Sequence, residues 1–341
     1  MKTYDFGLSW SGNIREDFVK YLQQACRRMR LSFLWICDDN VKDTVKRLET
    51  HHLGIKVLLD TEATYNEERN IYARLCYAVK DGAGTIINDP DRTKVAVDKS
   101  VMHYELINKN IDTPYTVIVR NWEPASFKLT ADEKKKLGAP LVIKPASGYG
   151  QLGVVRDARG SIVEIARARN FDRGDNFLLQ ERISPIQLGS RRAWFRVYNV
   201  FNRIIPCWWD DTLHRYYHLT YEELNSFRLF PLAKIVSKIA AVTQMVWFST
   251  EIAVDRKFGQ VRFVAIDYVN DQCDMTTKSE SPSGVPDYIV EETANCIVGA
   301  ASRFINRERN SKKYTIMLQD ASVVDIRGLG NPPQLIRTSL H

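Results

Sequence analysis

Apolar residues return along the first ninety or so positions with two different periods. The runs Y-D-F-G-L-S-W, L-S-F-L-W-I-C, I-K-V-L-L-D and G-T-I-I-N-D are short and apolar, and each reads as a strand. Between them the spacing is helical. Phe18, Tyr21, Leu22, Ala25, Cys26 and Met29 fall on one side of a helix, with Lys and Arg on the other. Strands that alternate with helices predict a parallel sheet covered by helices, and such sheets bind ligands beyond the carboxyl ends of their strands.

After this region the pattern changes. A loop, a helix carrying Lys99 and a strand following Pro114 come first. P-L-V-I-K-P-A and G-V-V-R-D-A-R-G read as strands on either side of a glycine-rich stretch, S-I-V-E-I-A-R-A-R as a helix and N-F-L-L-Q-E-R-I as a strand. R-A-W-F-R-V-Y-N-V-F-N-R-I-I-P-C-W-W-D shows partial period-2 alternation and predicts long antiparallel strands. A helix is expected over 231–246, then the strands W-F-S-T-E-I-A-V-D and Q-V-R-F-V-A-I-D-Y-V-N, then a long helix from Asp287 to Asn306. Residues 311–341 read as a trailing tail. No internal repeat or low-complexity segment is found.

With 341 residues, 44% of them hydrophobic, the chain can bury a sizeable core in two or three domains. The formal charge of +7 favours anionic partners, yet it is too diffuse to indicate a nucleic-acid binder. The six cysteines (Cys26, Cys37, Cys76, Cys207, Cys273, Cys296) form no C-x-x-C and predict reduced thiols in a cytoplasmic protein. There is no signal-peptide pattern and no apolar run long enough to span a membrane, so none is expected to be crossed. The six histidines show no ligand spacing, and His51 and His52 are placed at a helix end.

The chemistry begins at K-P-A-S-G-Y-G-Q-L-G-V, where Gly148, Gly150 and Gly153 form a G-x-G-x-x-G behind Lys144. Glycines so spaced let a backbone aim its N–H groups at phosphate oxygens. A Rossmann loop would open a helix here, but V-V-R-D-A-R-G follows instead. The kinase glycine pattern is completed by Val155, but H-R-D and D-F-G motifs are missing, as is the G-K-[ST] of a Walker loop. A strand ending in V-I-K and followed by a Ser/Gly hairpin is the remaining option. On these residues the sequence resembles the ATP-grasp superfamily, which includes glutathione synthetase, D-Ala:D-Ala ligase and the glutamate-adding ligases.

The resemblance covers about residues 85–310 and assigns roles in order. Asn88, Pro90 and Lys99 in V-D-K-S look like the segment supplying a first phosphate-contacting lysine, and Lys144 matches the second. Residues 147–153, with Ser147 and the three glycines, match the mobile phosphate loop. Gln180, Glu181, Arg182 and Ile183 resemble the Q-E-[FY]-I hinge that holds adenine and ribose, with arginine replacing the aromatic residue. Arg196 matches the arginine that faces the transferred phosphate.

A magnesium site is expected from two strands read as a hairpin turning near Lys257, Phe258 and Gly259. Residue numbers summing to about 516 would face each other, which sets Glu251 opposite Ala265 with Asp267 on the same face. Asn270 adds a neutral oxygen. The family has an acid on one strand and E-x-N on the next; D-x-x-N departs from this, and Asp255, Asp271 or Asp274 could replace one of the three. Each group also has a plainer reading: an ordinary turn for the glycines, a solvated lysine for Lys99, a salt-bridged arginine for Arg196, exposed strand carboxylates for Glu251 and Asp267. Trp208 and Trp209 are core or a substrate wall.

The expected fold is therefore α/β and α+β. An N-terminal parallel βαβ domain (1–90) precedes a small ATP-grasp subdomain (91–182), a large one (183–310) and a tail (311–341). The resemblance implies an ATP-dependent carboxylate–amine ligase, using ATP and Mg²⁺, with Lys144 and Arg196 at the chemistry. The γ-phosphoryl group goes to a carboxylate, and an amine then attacks the acyl phosphate. Arg182, Arg191, Arg192 and Arg203 near Arg196 suggest an anionic small-molecule or peptide substrate carrying that carboxylate. A small-molecule kinase on the same fold and a non-catalytic ATP-binding regulatory protein are the alternatives. Dimers are common among similar ligases, so a homodimer is the assembly implied.

Overall fold

A computed structural model describes residues 1–13, 16–65, 67, 69–148 and 150–310, with two short strands at Val323–Val324 and Ile336–Arg337. The tail expected over 311–341 otherwise lies outside the described residues.

The chain opens as the periodicity predicts, with β1 (Lys2–Ser9), α1 (Asp17–Arg28), β2 (Phe33–Ile36), α2 (Val41–Glu49), β3 (Leu53–Leu59), α3 (Ile71–Asp81) and β4 (Thr85–Ile87). The four strands form a parallel sheet in the order β2-β1-β3-β4, with Phe6 level with Phe33 on one side and Val57 on the other. Helix α1 buries Phe18, Val19, Leu22, Ala25 and Cys26, and Tyr21 packs half-buried against the same core, whereas Met29 lies just past the helix end and is exposed. Asn70 caps α3 by accepting from the N–H groups of Tyr72 and Ala73. His51 and His52 follow the end of α2.

Next come α4 (Pro90–Ala96), α5 (Lys99–Asn108), β5 (Thr116–Val119), α6 (Ala131–Leu137), β6 (Leu141–Pro145), β7 (Val155–Ala158), α7 (Ile162–Arg169) and β8 (Phe177–Glu181). The strands make an antiparallel sheet in the order β5-β8-β6-β7. Leu141, Ile143, Phe177 and Leu179 of this sheet pack against Ile165 and Ala168 of α7. The two-residue strands β9 (Gln187–Leu188) and β10 (Arg191–Arg192) pair with each other.

The remainder is β11 (Trp194–Val200), β12 (Arg203–Asp210), β13 (Arg215–Tyr217), α8 (Tyr221–Ser226), α9 (Pro231–Thr243), β14 (Trp247–Lys257), β15 (Gln260–Asn270) and α10 (Asp287–Asn310). Helix α9 stops at Thr243, three residues before the expected end, because Gln244 takes a left-handed conformation at φ 57°. Helix α10 runs on to Asn310 rather than stopping at Asn306.

The chain folds as two compact units. One comprises Met1–Lys94, Phe195–Thr250 and Asn270–His341; the other comprises Val95–Trp194 and Glu251–Val269. In the first unit the parallel sheet is followed by strands in the order β13-β12-β11-β14, and the main core gathers Phe6, Phe18, Tyr198, Trp247 and Ile297. A second cluster on Val45, Leu58, Leu75 and Cys76 fills the α2 and α3 side of the parallel sheet. The second unit holds the antiparallel sheet and the hairpin of residues 251–269. Trp208 is buried core, whereas Trp209 is half-buried.

Candidate active site

Strand β6 places Lys144 in the second unit with its side chain buried, and its ammonium donates to the main-chain carbonyl of Ile266 at 3.1 Å. Its nitrogen also lies 5.6 Å from the centre of the Tyr268 ring. Burial pushes the Lys144 pKa down to about 8, with Lys99 acting in the same direction and Asp267 and Glu251 opposing it. Two carboxylates and two ammonium groups therefore share one electrostatic neighbourhood.

Lys99 is the first residue of α5, where the Asp98 carboxylate caps the helix by accepting from the N–H groups of Ser100 and Val101. Its ammonium donates to Gly148 O at 2.8 Å and lies 3.8 Å from Asp267 Oδ1. One side chain thus bridges the glycine loop and strand β15. The glycines themselves are needed for conformation and space. Gly150 and Gly153 have φ of +56° and +71°, and a Cβ on Gly148 would come within 2.4 Å of Pro145. Ser147 donates both its N–H and its hydroxyl to Asp175, at 2.8 and 3.3 Å.

The hinge residues follow on β8. Gln180 is buried and donates to Thr116 Oγ1 and to the Tyr268 hydroxyl, each at 3.0 Å, so its side chain holds strands together. The Tyr268 hydroxyl meets His103 Nδ1 at 2.8 Å. Burial, then the Lys144 charge, pull the His103 pKa down to about 4. The Glu181 carboxylate accepts from Lys257 at 2.6 Å, from Arg262 at 3.3 Å and from Tyr115 N–H at 3.2 Å, while Arg262 also pairs with Asp255 at 2.9 Å. A ribose hydroxyl at Glu181 would compete with these cations. Arg182 is half-exposed and pairs with Asp157 at 2.5 Å, and Ile183 is buried against Ala253 and Val264.

The hairpin carrying the acids turns through two residues, Phe258 and Gly259, both with positive φ (52° and 82°), as in a type I′ turn. Across the hairpin, Arg262 pairs with Asp255 at 2.9 Å. Glu251 accepts from Trp194 Nε1 at 3.0 Å. Glu251 and Asp267 supply hard carboxylate oxygens, and Mg²⁺ is commonly held by one or two carboxylates together with substrate phosphates, so the donor set fits that ion. Among the described residues there is no group of three or more His, Cys, Asp or Glu side chains placed for a metal.

Arg196 and Asn270 belong to the first unit. Arg196, on β11, is buried, with its guanidinium carbon 5.2 Å from the centre of the Trp209 ring, and Asn270 closes β15, its carbonyl accepting from the Cys273 thiol at 3.5 Å. Asn88 is structural: its carboxamide accepts from the N–H groups of Val246 and Trp247 at 2.9 and 3.0 Å. Of the neighbouring arginines, Arg203 pairs with Glu292, and Arg182 is likewise already paired.

No family model matches the sequence, and no curated protein does. Solved structures do match. A RimK-domain ATP-grasp protein from Sphaerobacter thermophilus aligns over 86% of this chain and 98% of its own, with a TM-score of 0.58 and 14% identity. The chain has the ATP-grasp fold. The D-alanine–D-alanine ligase of Bacillus anthracis, at 15% identity, covers 89% of this chain and 99% of its own with a TM-score of 0.56. D-cycloserine synthetase DcsG reaches a TM-score of 0.59 at 13% identity, over 87% of this chain and 99% of its own. The mixed α/β architecture expected from the sequence is therefore that of the ATP-grasp fold.

Proposed function

We propose that the protein is an ATP-dependent carboxylate–amine ligase working through an acyl phosphate. The observation that carries this reading is the meeting of Lys99, Lys144 and Asp267 beside the glycine loop, a charge arrangement suited to a triphosphate. Solved structures of the same fold support it: a D-alanine–D-alanine ligase complexed with ATP, and the ligase PsnB complexed with a minimal precursor, Mg and ADP.

In this reading Lys99 and Lys144 neutralise phosphate charge, and the main chain of residues 181–183 receives the adenine. Glu251 and Asp267 would hold Mg²⁺, which would offset the negative charge of the phosphates. The γ-phosphoryl group moves to a substrate carboxylate oxygen and ADP departs. An amine then forms the C–N bond as the C–O bond to phosphate breaks, and the amine proton passes to solvent. The basic stretch with Arg191, Arg192 and Arg196 favours an anionic substrate. The six free cysteines, five of them buried, suit the cytoplasm.

The test is trapping with hydroxylamine. Incubation with MgATP and a panel of carboxylates should yield ADP, free phosphate and a hydroxamate in equal amounts. ADP with the phosphate retained on a hydroxyl product would mark a kinase, and no ADP with any acceptor would mark a non-catalytic nucleotide binder.

A further inference from the structure

Residues 171–176, F-D-R-G-D-N, carry no recognised motif, yet they touch the glycine loop at both ends. At the entry, Asp175 Oδ2 accepts the Ser147 N–H at 2.8 Å and Oδ1 accepts the Ser147 hydroxyl at 3.3 Å. The next residue extends the grip: Asn176 O accepts the Ala146 N–H at 2.8 Å, and Asn176 Nδ2 donates to Ser100 Oγ at 3.1 Å. Ser100 follows Lys99, whose own N–H donates to Ala146 O at 3.0 Å. The end of β6, the first loop residue and the start of α5 are thereby tied into one net. At the exit, a Cβ on Gly153 would lie 2.6 to 2.9 Å from three ring atoms of Phe171, so that ring packs directly against the glycine.

We propose that this segment is the clamp of the nucleotide loop, with Asp175 and Phe171 as positioning residues for the bound triphosphate. Two features argue against a purely structural role. Phe171 is 54% exposed, so its ring contributes little to a core and its close contact is with the loop. A carboxylate beside an anion site is electrostatically unfavourable there unless its hydrogen bonds serve that site. With the Ser147 donors committed to Asp175, phosphate contacts fall to the later part of the loop and to Lys99 and Lys144, whose spacing from the loop the net fixes.

The inference rests on the nucleotide reading given above, and equilibrium dialysis of ATP against the full chain separates the two. Asp175→Ala and Phe171→Leu should each weaken ATP binding about tenfold, the loss expected for one charge-assisted hydrogen bond or one displaced contact. Asp175→Asn, whose amide oxygen still accepts the Ser147 N–H, should recover most of the affinity, with all three variants melting near the wild-type temperature. Wild-type affinity in both Asp175→Ala and Phe171→Leu would overturn the clamp alone. Equal losses in Asp175→Ala and Asp175→Asn that track a lowered melting temperature would also overturn it. A wild-type chain that does not bind ATP would overturn the nucleotide reading, and the clamp with it.

Discussion

Lys144 reaches the main-chain carbonyl of Ile266 at 3.1 Å, one residue before Asp267, so the lysine strand and the acidic hairpin of the second unit meet directly. The contact is between a charged donor and a neutral acceptor. Burial of the ammonium is the main cause of its lowered pKa, which the Asp267 and Glu251 carboxylates oppose.

Replacing Lys144 with Met should therefore separate function from stability. The apolar side chain fills the same space without the cost of a buried charge, so the melting temperature should hold or rise. ATP turnover should fall by about 10²- to 10³-fold, the usual loss on removing one preorganised charge-stabilising donor. Unchanged turnover in steady-state assays would remove Lys144 from the chemistry.

Asp267→Asn should raise the Mg²⁺ concentration for half-maximal activity by at least about tenfold, because metal affinity drops by that much even when only a supporting residue is lost. Glu251→Gln should act in the same direction. Magnesium titrations of the two variants at saturating ATP measure this, and wild-type magnesium curves in both would move the metal to other acids.

Stability should fall on acidification because of His103. Its folded pKa of about 4 lies below the unfolded value, so the unfolded chain takes up the proton first. The contribution is constant above about pH 6.5 and is lost progressively down to pH 4, amounting to up to about 3 kcal/mol at the lower end. Urea unfolding of wild type and His103→Gln across that range should show the substitution flattening the curve. Parallel slopes would mean that the buried His103 is not the source.

What the sequence carried was periodicity and local chemistry. The alternating βα pattern, the strand ending at Lys144 and the glycines at 150 and 153 were legible because each is decided by near neighbours in the chain. Helix α6 was silent: it buries only Leu137, so no apolar stripe marks it, and its signal is the Thr130–Glu133 capping box. The partners of Glu181 lie 76 and 81 residues further on, and Asp175 is 28 residues from Ser147. Contacts of that kind are chosen by tertiary packing, and no local pattern announces them.

The most direct test of the account is a crystal structure of the chain with Mg²⁺ and a non-hydrolysable ATP analogue. The account predicts phosphate oxygens on the ammonium groups of Lys99 and Lys144 and a metal on the carboxylates of Asp267 and Glu251. Nucleotide bound with its phosphates away from Lys144, or a metal held by neither acid, would contradict it.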